Sequence, residues 1–193
     1  MFQRLLNNIS QNVEISEEEF DYFKSLFLPK KLKKKQYFLQ EGEVCTYTAF
    51  VEKGLMRSYT VDIKGNDHIL QFAFEGWWLT DLFSFLTNEP SLFNMDALED
   101  SELLLITKPD WDTLLTNVPS LERYFRILIQ NNLIVTQRRL MGELSETAEE
   151  KYLRLIKTFP QCIQRVPQHM IASYLGITRE TLSRVRSQLS SRK

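Results

Sequence analysis

The sequence predicts an α+β chain in three successive parts: an antiparallel β domain, one long helix, and a small all-helical end. Three observations carry this. Short β-branched and aromatic runs separated by turn signals fill the chain to about Asn117. No helix breaker then interrupts an apolar-periodic stretch between Pro119 and Gly142. From Ser145 onward only helical patterns remain. The expected parts are 1–117, 118–144 and 145–193.

The β part opens with a short amphipathic helix and then a second, capped by Ser16 with Glu19 three residues on. The strand-like runs are KKKQYFLQEGE, TYTAFVEKGLMRSYTVD, HILQFAFEG and SELLLITK. Turn signals at Glu41-Gly42-Glu43, Glu52-Lys53-Gly54, Asp62 to Asp67 and Glu75-Gly76 separate them. Many short strands at this spacing form a sandwich, a roll or a barrel. Lys30, Lys31, Lys33, Lys34 and Lys35 read as an edge strand kept soluble by its charges. Asp81, Asp96 and Glu99 read as solvated loop residues flanking strands. Thirteen Phe and three Trp in 193 residues predict a dense aromatic core.

In the long helix Leu121, Leu128 and Val135 recur at heptad spacing, with Phe125 and Asn132 between them. Ile127, Leu133, Ile134 and Leu140 make further faces apolar, so the helix needs more than one partner. One side is expected to cover the β part and the other to pair with a second copy. Asn131 and Asn132 interrupt the stripe as register-setting polar residues do at helix seams.

Charge is unevenly spread. From Gln161 to Lys193 six basic residues face the single acid Glu180, a balance of +5 that leaves −6 on the rest of a chain of net charge −1. A basic end on an acidic body suits a phosphate-bearing partner. Only Cys45 and Cys162 occur, without a CxxC, which excludes a disulfide framework, a zinc knuckle and an iron–sulfur centre. His68 and His169 lie in different parts, so no histidine metal cluster is expected, and no cofactor is implied. The N-terminus is too polar for a signal peptide and no apolar run approaches membrane length. A soluble, cytoplasmic chain is expected. Enzyme activity is not: there is no Gly-rich phosphate loop and no G-x-S-x-G.

PQHMIASYLGITRETLSRVR carries the most specific geometry. Ile171 and Leu175 lie one turn apart, as do Leu182 and Val185 on the next helix. Ala172 lets the two helices approach, and Gly176 supplies a positive φ at the turn. Ile177 plugs the corner, and Thr178 caps the second helix. Small residue, glycine and apolar anchors at these offsets form a helix-turn-helix. Arg179, Glu180, Ser183, Arg184 and Ser187 then face outward. Arginine bonds guanine O6 and N7 bidentately, and glutamate accepts from cytosine N4, so this face has base-reading chemistry.

At these residues, RETLSR above all, the sequence resembles the catabolite activator and Fnr family of transcription regulators. The resemblance covers nearly the whole chain, with EGEVCTYTAFVEKGLMR in the part that matches the family's sensor. It implies a β-roll like the cyclic-nucleotide-binding jelly roll, a long dimerisation helix and a C-terminal helix-turn-helix. It further implies a homodimer on palindromic double-stranded DNA, with RNA polymerase as a partner and residues 178–189 in the major groove. Carried over by position, Arg179, Glu180 and Arg184 contact bases, while Gln168, His169, Thr178 and Thr181 contact phosphates. The dimer seam is Leu121, Phe125, Leu128, Asn132 and Val135.

Two departures stand out. Cyclic-nucleotide binders of the family hold phosphate with a Gly-Glu-Leu stretch and a following Arg beside Ser or Thr. Here Thr80-Asp81-Leu82 replaces the first, the arginine position falls near Ser91, and no Arg or Lys occurs between Lys64 and Lys108. A buried phosphate without a cation is costly, so cyclic AMP is not the expected ligand. Thr80, Asp81, Leu82 and Ser91 are the first residues to test for another small effector. Trp77, Trp78, Phe83, Phe85 and Phe93 would line its pocket or fill the space themselves. The family's β-wing after the recognition helix has no counterpart before Lys193, and Arg186, Arg192 and Lys193 are its expected substitutes. The competing reading is a ligand-binding signalling module that acts through a protein partner with a degenerate helix-turn-helix. Arg179 and Arg184 speak against it.

Overall fold

A computed structural model describes residues 2–191, so Arg192 and Lys193, the expected substitutes for a wing, lie outside the described residues. The chain divides into two compact units: residues up to Thr60 with Leu70–Gln130, and Val61–Ile69 with the residues from Asn131 onward. This division differs from the expected boundaries at 117 and 144. One division falls inside the long helix, and a hairpin tip goes with the helical unit.

In the first unit, β3 (Tyr47–Lys53) and β8 (Ser101–Thr107) pair antiparallel inside a sheet ordered β1, β8, β3, β6. Ala49 faces Leu105, Phe50 faces Leu104 and Val51 faces Leu103 across the ladder. Phe50, Leu104 and Ile106 turn to one core, and Ala49, Val51, Leu103 and Leu105 to another. A strand covered on both faces needs an unbroken apolar run, which is why SELLLITK does not alternate. The edge strand β1 (Leu28–Leu32) carries exposed Lys30 and Lys31, as expected of an edge kept soluble by lysines. The second sheet is ordered β2 (Tyr37–Leu39), β7 (Asn94–Ala97), β4 (Met56–Val61), β5 (Asp67–Ala73). Two four-stranded antiparallel sheets make the roll.

The first core is aromatic. Leu5 and Ile9 of α1 (Gln3–Ser10), Phe20 and Phe23 of α2 (Glu17–Ser25), Leu114 of α4 (Lys108–Asn117), and Leu121, Tyr124 and Phe125 of α5 (Pro119–Ser145) close over the sheet. Trp78, from the two-residue strand β6 (Trp78–Leu79), stacks edge-on against Phe50 at 5.3 Å and Phe125 at 5.1 Å. Its indole N–H donates to the Tyr124 hydroxyl at 2.9 Å, and Tyr124 in turn donates to Asn8. Ser16 and Glu19 form the expected capping box at α2.

Two aspartates read as loop residues are buried instead. Asp96 lies on β7, where it takes the Arg57 guanidinium through Nε at 2.7 Å and Nη2 at 3.0 Å. Asp81 caps the short helix α3 (Leu82–Thr87). NMDA, with Asn, Asp and Ala, has little intrinsic strand preference, and its pairing to β4 and β2 overrides that.

The second unit contains the later part of α5, then α6 (Ala148–Thr158), α7 (Cys162–Arg165), α8 (Gln168–Tyr174) and α9 (Arg179–Ser191). Thr147 caps α6 in a second capping box with Glu150. Tyr152 and Leu155 of α6, Ile171 and Ala172 of α8, and Leu182 and Val185 of α9 are buried where these helices meet.

Candidate nucleic-acid interface

The turn between α8 and α9 is a complete Schellman motif. Ile177 N–H donates to the Ala172 carbonyl at 3.0 Å and Gly176 N–H to that of Ser173 at 3.1 Å. This places Gly176 at φ +63°, where glycine costs least. A Cβ there would also lie 2.7 Å from the Glu143 carboxylate, so no side chain fits without displacing it. Thr178 then starts α9: its hydroxyl accepts the Thr181 amide at 3.1 Å. Ala172, Ile171, Leu175, Leu182 and Val185 are all buried, as their spacing predicts.

With the apolar residues turned inward, the opposite face is set by helical periodicity. Arg179, Ser183 and Ser187 lie one turn apart in succession, as do Glu180 and Arg184. Together with Gln168 and His169 of α8 they line one open concavity. Five of the seven expected DNA-contact residues are thus brought together. Thr178 and Thr181 hold the cap of α9 and do not line the concavity. Ser183 and Ser187 complete the lining, although their outward position alone gave them no contact role. The Glu180 carboxyl is held below its usual range, first by its own backbone N–H and then by Thr178. It is an ionised acceptor at neutral pH.

Thr80, Asp81, Leu82 and Ser91 fare differently. Asp81 is buried, accepting the Ser91 hydroxyl at 2.7 Å and the Ser84 amide at 3.2 Å. Ser84 Oγ accepts from Cys45 N–H at 2.9 Å and donates to the Glu89 carbonyl. Thr80 sits 3.7 Å from the Cys45 sulfur, and Leu82 points outward. The Asp81 carboxylate is thus held by serine side-chain and backbone donors. Of the aromatics nearby, Phe85 is buried in the second core and Phe83 is exposed.

Of the expected dimer-seam residues, Leu121 and Phe125 are buried in this chain's own aromatic core and Leu128 packs on it, half-buried. Asn132 and Val135 are exposed. The exposed apolar row of α5 runs instead through Ile129, Leu133, Ile134, Val135, Leu140, Met141 and Leu144.

The chain is similar to known proteins over most of its length. Residues 29–117 match the cyclic nucleotide-binding domain family. The chain is 30% identical over 103 residues to the transcriptional regulatory protein Btr of Bordetella pertussis, a match spanning 48% of this chain and 43% of Btr. It is 24% identical to the fumarate and nitrate reduction regulatory protein of Vibrio cholerae across 89% of this chain and 72% of that protein. The crystal structure of the Thermus thermophilus catabolite activator protein superposes with a TM-score of 0.57 at 21% identity, covering 92% of this chain and 85% of that one.

Proposed function

The chain belongs to the catabolite activator and Fnr family of transcription regulators, and from that premise we propose that it binds operator DNA as a homodimer, with residues 178–189 in the major groove. One observation carries this reading: the concavity in which Gln168 and His169 of one helix meet Arg179, Glu180 and Arg184 of the next. Two guanidinium forks and one carboxylate on a single helical face match guanine and cytosine edges. The N-terminal amides of α9 add a partial positive charge toward the backbone. The second copy is proposed to cover the exposed row from Ile129 to Leu144. Neither Asp81 nor its neighbours offer a phosphate a cation, so an effector held at Thr80, Asp81 and Ser91 would be a neutral or cationic molecule rather than cyclic AMP. RNA polymerase is the proposed partner of the DNA-bound dimer.

Selection from a random duplex library, followed by anisotropy titration of the selected site, tests the central reading. Each lost bidentate contact costs about 1–3 kcal/mol of discrimination. Arg179→Ala and Arg184→Ala should therefore each cut the preference for the selected site by about 10- to 100-fold, while weak binding to random duplex persists. An unchanged preference in the double variant would overturn the assignment. A chain that acted only through a protein partner would select no sequence at all.

A further inference from the structure

Within the second unit, two segments that continue from the roll end on the same four residues of the reader. The first is the tip of the β4–β5 hairpin, Val61–Ile69. β5 is an edge strand of its sheet, so its outer backbone groups face away from the other strands of that sheet. Ser173, on α8, takes two of them: its hydroxyl donates to the Asp67 carbonyl at 2.6 Å and accepts the Ile69 N–H at 3.0 Å. A hydroxyl has one proton to give and can accept, so this pair uses both capacities. The contact joins residues more than a hundred positions apart in sequence. The tip itself is held in shape, because the Asp62 carboxylate accepts the amides of Lys64 at 2.8 Å and Asn66 at 2.9 Å as well as the His68 ring at 3.0 Å.

The second segment is the end of α5. The Arg139 guanidinium lies 4.9 Å over the Tyr174 ring, a cation–π contact. One turn later Glu143 places its carboxylate against Gly176 and takes the Lys151 ammonium at 2.5 Å. The hairpin therefore grips Ser173, and α5 grips Tyr174 and Gly176. Two residues later Thr178 begins the helix that carries Arg179 and Arg184.

We infer that Ser173 is a positioning residue for DNA reading. It fixes α8, and through the Gly176 turn α9, to the hairpin that runs back into the roll. This rests on the DNA-reading proposal above. Arg179, Glu180 and Arg184 stand exposed while the contact is made, so the latched arrangement is the binding-competent one. Losing it leaves the reader to be oriented at the moment of binding.

Hydrogen exchange of the full-length chain, followed by mass spectrometry with and without the selected duplex, tests the inference. In the free chain, Ser173→Ala should speed exchange across 61–69 while the roll strands keep their protection; this arm needs no DNA. With the duplex bound, the wild type should show slowed exchange both in α8–α9 and in 61–69. The alanine variant should keep the first response and lose the second. Loss of a typical hydrogen bond predicts operator affinity lowered by about 3- to 10-fold, and Ser173→Thr, which keeps the hydroxyl, should restore it. If Ser173→Ala does not fold, Arg139→Gln tests the other grip by the same readouts. A hairpin that responds equally in wild type and alanine variant, or unchanged exchange at 61–69 in the free variant, overturns the inference while leaving DNA reading intact. A wild type that selects no duplex overturns DNA reading, and the free-chain arm still reports on the contact.

Discussion

Asp96 shows how a single residue escapes a sequence reading and yet governs stability. Set in the run Asn94-Met95-Asp96-Ala97, it looks like part of a loop, and nothing local announces that Arg57, 39 positions away, will meet it. Both side chains are 9% exposed, and the guanidinium also lies 3.8 Å from the Tyr59 ring centroid. A buried pair of this kind stabilises little relative to well-packed apolar residues, but removing one partner strands the other charge, which costs about 3–5 kcal/mol. Asp96→Ala should therefore lower the chemical denaturation midpoint strongly, and Arg57→Met combined with Asp96→Leu should recover most of it. A single variant as stable as wild type would show that Arg57 finds another acceptor. At Gly176 the opposite holds: the glycine, the apolar anchors and Thr178 all act locally, so their roles were legible residue by residue.

Elements were legible where one periodicity dominated and harder to read where two overlapped. The capping box of α2, the strand run SELLLITK and the apolar anchors and glycine of the helix-turn-helix follow from spacing alone. The long helix does not. Its heptad through Leu121, Phe125 and Leu128 is real, but that stripe belongs to the intramolecular core, and the exposed stripe begins at Ile129. A helix that changes partner along its length carries two seams in one sequence, and periodicity cannot say which is which. This has a consequence. Leu133→Asp with Leu140→Asp should dissociate the proposed dimer with little loss of helical content, because both side chains are already more than half exposed at 56% and 61%. Sedimentation at micromolar concentration, with circular dichroism as the fold check, measures both. A double variant that still sediments as a dimer would place the seam elsewhere.

At the scale of the whole molecule, net charge misleads and its distribution informs. A total of −1 suggests no affinity for nucleic acid, yet Arg179, Arg184 and Arg186 sit on one thirteen-residue helix with Glu180 as its only acid. One such helix covers only a few base pairs, so selective binding at physiological salt calls for two copies acting together. Two copies related by a two-fold axis read half-sites about one helical turn apart, roughly 34 Å between centres. The spacing between half-sites then becomes a ruler for the dimer. Inserting five base pairs between them turns one half-site to the opposite face of the duplex, so only one reader engages and affinity falls towards that of an isolated half-site. Ten inserted base pairs restore the facing but lengthen the span, and recovery should be partial at best if the two readers are held at a fixed distance. Ser173→Ala, by loosening that hold, should narrow the gap between the ten-pair insertion and the native spacing. Full affinity with five inserted base pairs would mean that each chain binds alone, and the two-fold arrangement would have to be abandoned.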